Sequence, residues 1–245
     1  MLMRILATGL VAGVLAGGAV AGLQYVTTTP LILMAETYEK AEAAAPVSAP
    51  DAAKAAHSHD AATPAHSHGA EAEEWAPEDG LERTAFTTLA TVSAAIGFAF
   101  ILLAVILASG VTPTARTGLI WAAAAFAATG LAPALGLPPE LPGSGAAEVI
   151  DRQIWWAGTV AATAFGLWLI ARISTLLAVA IGIALIAAPH VLGAPHPHAL
   201  KSEVPAEIAG HFTASSLVVH AVLWVLVGAI AGYLWQRADS RATAS

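Results

Sequence analysis

The sequence predicts an all-α protein: a polytopic transmembrane helix bundle of six membrane-spanning helices, or five if one candidate does not count. Three observations carry this. Hydrophobic residues make up 57% of the 245-residue chain and charged residues only 11%, against about 25% charged in a soluble domain. The mean hydropathy is +0.71. The apolar residues are also gathered into stretches long enough to cross a hydrocarbon core of about 30 Å, which takes roughly 17 to 25 helical residues.

Six stretches meet that length: 5–26, 85–109, 117–135, 154–171, 173–192 and 212–235. The fourth and fifth are parted only around Arg172 and Ser174, so they end early, tilt, or form one tight helical hairpin. The first has a rival reading as a signal peptide, because Arg4 precedes the apolar run and Ala19-Val20-Ala21 resembles a cleavage site. The run is long for that role. It also carries Gly9, Gly13 and Gly17 on one helix face, which suits close contact with another helix and favours an uncleaved span. Tyr25, Trp155 and Trp156 then fall at one membrane interface, and Trp121, Trp168, Tyr233 and Trp235 at the other.

The organisation that follows is a first helix over 1–26, a polar loop over 27–83, a helical bundle over 84–236 and a short tail over 237–245. Within the loop, 30–38 is moderately apolar and extends or caps the first helix as an ordered shoulder. Ala, Pro, Ser, Glu and His dominate from 42 to 74, a composition too poor in apolar surface to fold alone, so disorder is expected there. Pro77, Asp79 and Gly80 mark a turn, and Glu82, Arg83 and Thr84 open the second span.

Charge sets the expected orientation. With the N-terminus cytoplasmic, the short inner loops and tails carry Arg4, Arg116, Arg172, Arg237 and Arg241, with Asp239 their one acidic residue. The longer outer loops carry Lys40, Lys54, Arg83, Arg152 and Lys201 with every other acidic residue. Basic density in short loops favours this orientation, with both termini cytoplasmic and the polar loop periplasmic or extracellular. The net charge of −7 argues against a nucleic-acid partner. With no cysteine, thiolate sites are excluded, and a soft-metal site must use His, Met or carboxylates.

All nine histidines lie outside the apolar segments or within reach of their outer ends, which is what handling a transition-metal ion requires. His57 and His59, and His66 and His68, form two pairs whose members project to one side of an extended chain and can fold around one ion. A solvated spacer that binds nothing selectively is the plainer reading, and a loose loop suits scavenging better than selective transport. His190, His196 and His198 lie in a segment stiffened by Pro189, Pro195 and Pro197, so less entropy is lost on binding there. Interfacial capping is the alternative for these. His220 stands about two turns into the last span, four residues after Ser216. An ionisable residue in a span is a functional candidate by default, and a neutral histidine bonded to a neighbouring helix is its structural counterpart. Gln24 and Glu36 are the further polar groups that can complete a cation path.

Enzyme readings are set aside. No Walker A motif or H-E-x-x-H occurs, and Gly143-Ser144-Gly145 lacks the full nucleophile-elbow pattern. Haem ligation within a bundle needs axial histidines in the spans, and only His220 is inside one. No organic cofactor is expected.

Several blocks resemble a known family. They are 30–36 (PLILMAE), 75–83 (WAPEDGLER), 131–143 (LAPALGLPPELPG), 152–156 (RQIWW), 189–197 and 204–207 (VPAE). Over essentially the whole chain they look like the CbtA-type predicted cobalt transporter subunit. The resemblance implies a bacterial inner-membrane protein for cobalt uptake, tied to cobalamin supply, with cobalt as substrate. It also implies a small one-helix, His-bearing partner subunit of the CbtB type. Such proteins are usually described with about five spans, which puts the first segment, or the fourth and fifth pair, in question. The expected mechanism starts with cation capture by the outer histidines, helped by the acidic field. Transfer to a site near His190 and His196 follows, and then passage between helices past His220. The rival class is a membrane metal-binding chaperone, sensor or scaffold that does not itself transport. A homo-oligomer stays open.

Overall fold

The computed structural model describes residues 1–43, 77–173, 175–197 and 202–244. Backbone groups in hydrocarbon have no water to bond, so each crossing segment must satisfy them within itself, and helices do so. The described residues are accordingly helical, with α1 (Leu2–Val26), α2 (Thr28–Ala43), α3 (Leu81–Ala108) and α4 (Ala115–Phe126). A π-helical turn, Ala127–Leu131, and the short α5 (Ala132–Ala134) continue α4, and α6 (Val149–Arg172), α7 (Leu176–Leu192) and α8 (Ala206–Ala244) complete the chain. Five of these segments are long and apolar enough to cross a membrane: α1, α3, α4 with its continuation, α6 and α8. The sixth expected segment is the shorter α7 of 17 residues, which rises about 26 Å at 1.5 Å per residue.

Contacts between the ends settle the parity of the path. Arg4 of α1 bonds Asp239 and the Trp235 carbonyl of α8, and its guanidinium lies 4.0 Å over the Trp235 ring. Both ends of the chain therefore share one end of the bundle, the terminal end. The number of traverses between is even, so α7 must return beside α6. It does: Gly166 and Gly182 meet backbone to backbone, and Trp155 Nε1 donates to the Pro189 carbonyl at 3.3 Å. The break between these helices falls at Ile173, in extended conformation, and α7 restarts after Thr175, whose hydroxyl accepts from the Ala178 amide.

The opposite, loop end is built by α2. Thr27 kinks the chain out of α1, and Pro30, harmless in a first turn where the N–H has no partner, lets α2 start at once. The expected shoulder after the first span is thus an ordered helix. Ala35 is buried with Leu141 and Val204 near the start of α8, with Ile32, Ile208 and Phe212 packed against them. Glu36 accepts from both guanidinium ends of Arg83 on α3, and Asp79 takes a further bond from Arg83 at 2.8 Å. The 42–74 stretch lies outside the described residues, apart from the backbone end of α2.

The core is made of close helix approaches rather than large side chains. Gly9, Gly13 and Gly17 of α1 face Phe100, Ile96 and Val92 of α3, as their shared helix face requires. Gly118 of α4 and Gly228 of α8 sit so close that a Cβ on either would strike the other's carbonyl. Ala12, Ala16, Ala95, Ala99, Leu103, Ile106, Val227 and Ala231 fill the space between α1, α3 and α8. Because lipid is as apolar as these side chains, packing contact and not water exclusion holds the helices together. At 39 residues, α8 is about 58 Å long and is helical through the segment expected to be a tail.

Replacing Gly228 with leucine should overpack the α4–α8 contact and lower stability by about 1–3 kcal/mol, read as a fall in the Tm of the detergent-solubilised protein. Glu36→Gln leaves Arg83 without its bidentate partner in a half-buried place and should cost about 1–2 kcal/mol, read the same way.

Candidate functional site

His220, within α8, faces a break in the regular geometry of α4. Pro133 has no N–H, so the Thr129 carbonyl loses its ordinary partner four residues on, and the helix widens into the π-helical turn at 127–131. Within it the Ala132 amide bonds the Ala127 carbonyl five residues back. The widened turn lies opposite His220 of α8. Gly130 lets the imidazole in, since a Cβ there would sit 2.9 Å from His220 Nδ1.

The ring is held on several sides. Trp224, one turn on along α8 and 2% exposed, donates its indole N–H to His220 Nε2 at 2.9 Å. The same N–H reaches Thr129 Oγ1 at 3.1 Å, and the Thr129 hydroxyl donates to the Ala125 carbonyl at 2.8 Å. Phe126 meets the imidazole edge-on at 5.8 Å, and Phe98 lies along it at 6.4 Å.

His220 and Ser216 line two cavities at once. One, of about 540 Å³, lies between the π-helical turn and α6 and is also bounded by Thr129, Arg152, Gln153 and Trp156. The other, of about 350 Å³, lies between α1, α3 and α8 and is bounded by Gln24, Thr28, Thr91 and Phe98. Gln24 Oε1 accepts from the Thr91 hydroxyl at 2.9 Å, and Arg152 pairs with Glu140 at 2.9 Å. His220 therefore forms part of the wall between two partly polar spaces in the loop-end half of the bundle. From there to Asp239, about 28 Å along α8, the helix carries the apolar run 221–234 and packs mainly on apolar side chains of α1 and α3, with Thr8 of α1 buried in the same half. The terminal end then has its own cavity, lined by Arg4, Trp235 and Asp239.

The other expected ligands are scattered. His190 occupies the last turn of α7, edge-on to Trp155 at 5.9 Å, with its Nε2 buried and unbonded among the described residues. His196 is exposed beyond Gly193, whose φ of +86° ends that helix. Glu36 has both carboxylate oxygens on Arg83. His57, His59, His66, His68 and His198 lie outside the described residues. Among the described residues, no three His, Asp or Glu side chains come together as a group fit to hold a metal ion.

Sequence reasoning singled out His220, Ser216 and Gln24 but missed Thr129, Gly130 and Trp224. A signal was present: Pro133 follows Thr129-Gly130 inside an apolar run, and a proline there frees a backbone carbonyl. Trp224 stands four residues after His220, on the same helix face.

Comparison with known proteins bears on the chain as a whole. A family model described as "Probable cobalt transporter subunit (CbtA)" matches residues 2–236. No curated protein and no solved structure matches. The match spans the first four long apolar helices and the fifth as far as residue 236, with Arg152, its Glu140 partner and the His220 site. This multi-pass membrane protein belongs to the CbtA family, the family of that description.

Proposed function

We propose that the chain is the membrane subunit of an uptake system for a divalent transition-metal ion, cobalt first among them, and that His220 is the group the ion meets inside the bilayer. The observation that carries this is the place of His220: an imidazole inside a span, in the wall shared by two cavities, beside a π-helical turn. An ionisable side chain in hydrocarbon is expensive to keep and marks an ion path, and π-helical turns gather at functional sites. Ser216, Thr129, Gln24 and Thr91 supply neutral oxygens along the way. Imidazole with neutral oxygens suits a borderline divalent cation and leaves nickel and zinc as competitors.

In this reading the loop end faces outward in the inner membrane of a bacterium. His57, His59, His66 and His68 collect cations in the acidic loop, His190 and His196 stand at the mouth of the bundle, and His198, two residues after His196 in sequence, is a further proposed ligand. The membrane potential then favours inward movement by about 2.3 kcal/mol per charge per 100 mV. The apolar packing between His220 and Asp239 is the barrier that must part, and a small His-bearing helix of the CbtB type is the proposed partner subunit. The second reading is a metal-binding chaperone, sensor or scaffold for another permease that does not itself transport.

Reconstituted proteoliposomes decide between them. Influx of Co²⁺ is expected, with or without the small partner, and His220→Ala should lower it about tenfold or more. Replacing His57, His59, His66 and His68 together with alanine should raise the half-saturating Co²⁺ concentration and leave the maximal rate alone. No influx of Co²⁺, Ni²⁺ or Zn²⁺ under any pairing would establish the scaffold reading. Sidedness is accessible because the chain has no cysteine. Ser67→Cys should react with an impermeant maleimide in spheroplasts, and Ser245→Cys only after the membrane is opened.

A further inference from the structure

Trp224 does something that passage of an ion past His220 does not by itself require. A neutral imidazole has one nitrogen with a free lone pair. Because Nε2 accepts the indole N–H at 2.9 Å, that lone pair is on Nε2, and the ring proton is assigned to Nδ1 on the Gly130 side. The lone pair through which His220 would bond a cation is therefore already taken.

The indole N–H has a second acceptor in place. Thr129 Oγ1 lies 3.1 Å away and sends its own proton to the Ala125 carbonyl, so its lone pairs face the indole. Trp224 is 2% exposed and packs on Phe98 at 4.9 Å, which leaves it no water to turn to. Without Thr129, losing His220 would strand a buried donor, an expensive outcome in apolar surroundings. With Thr129, the N–H passes from a shared bond to a single one.

We propose that Trp224 is a positioning residue that acts as a latch on the His220 cation site: a divalent cation displaces its N–H from Nε2, and Thr129 on the π-helical turn takes that hydrogen bond over. This rests on His220 being a cation ligand. The exchange is balanced, since one hydrogen bond breaks, one coordinate bond forms at Nε2, and the Nδ1 proton stays, so no proton leaves this residue. Competition from the indole keeps cation binding weak enough to reverse, as a site on a transport path must be. It also ties arrival of the ion to α4 through the Thr129 bond.

The test uses the full chain in proteoliposomes and Co²⁺ as the probe. Trp224→Phe removes the competing donor, so the half-saturating Co²⁺ concentration should fall about three- to tenfold, the net worth of one hydrogen bond, while slower release lowers the maximal rate. Thr129→Val leaves the indole stranded when the cation binds, so the half-saturating concentration should rise by a similar factor. A merely structural role would move both variants in one direction. In addition, the Trp224 indole ¹⁵N–¹H resonance, assigned by its loss in Trp224→Phe, should shift when diamagnetic Zn²⁺ is added to the wild type and stay still in His220→Ala. Shifts in the same direction, no shifts, or an indole resonance indifferent to Zn²⁺ would overturn the latch while His220→Ala still lowered influx. Influx untouched by His220→Ala would overturn the ligand reading as well.

Discussion

Backbone contact between Gly118 and Gly228 is the constraint on which the rest of the bundle depends. It brings α4 against α8 without intervening side chains. Eleven residues along α4 and eight back along α8, the same antiparallel pair sets the π-helical turn beside His220, where Gly130 gives the imidazole room. Any side chain at the glycine crossing would push the two helices apart and withdraw Thr129 from Trp224. Close approach at a crossing far from the polar groups is thus what allows a polar cluster to exist inside an apolar bundle.

The polar groups are distributed unevenly along the bundle axis. The loop-end half carries His220, Ser216, Gln24, Thr91 and Thr129 around two cavities, while the stretch toward Arg4 and Asp239 is packed mostly by Ala, Leu, Ile and Val, with Thr8 buried among them. His220, Ser216, Gln24, Thr91 and Thr129 each have a bonding partner or border a cavity, as the low dielectric demands, whereas His190 Nε2 is buried without a partner among the described residues. Arg4 and Asp239 close the terminal end by pairing with each other and by stacking Arg4 on Trp235. The outline is a vestibule over a seal, which is compatible with membership of a cobalt transporter family.

Much of this was legible from residue order. Composition and segment length declared a membrane helix bundle, and the Gly9, Gly13 and Gly17 face of α1 found its neighbour in α3 as expected. The hairpin of α6 and α7 was visible in the break around Arg172, although its second helix is shorter than the span length usually required. Glu36 shows where such reading stops. As a carboxylate beside an apolar helix it looked like a cation ligand, yet in the fold Arg83, forty-seven residues on, occupies both of its oxygens. His190 and His196 share a proline-stiffened segment, but one ring turns against Trp155 and the other is exposed.

The sequence by itself determined the solvent this protein lives in and left its spans at six or five, because hydrophobicity and helix length are properties of a segment alone. Only the tertiary structure decided what His220 touches. A hydrogen bond to Trp224 is local in α8, but its sharing with Thr129, the room at Gly130 and the two cavities depend on how α1, α3, α4 and α6 approach. Those approaches are set by small residues whose partners lie about a hundred residues away along the chain, as Gly118 and Gly228 do. A glycine at one position carries no record of which helix it will let in.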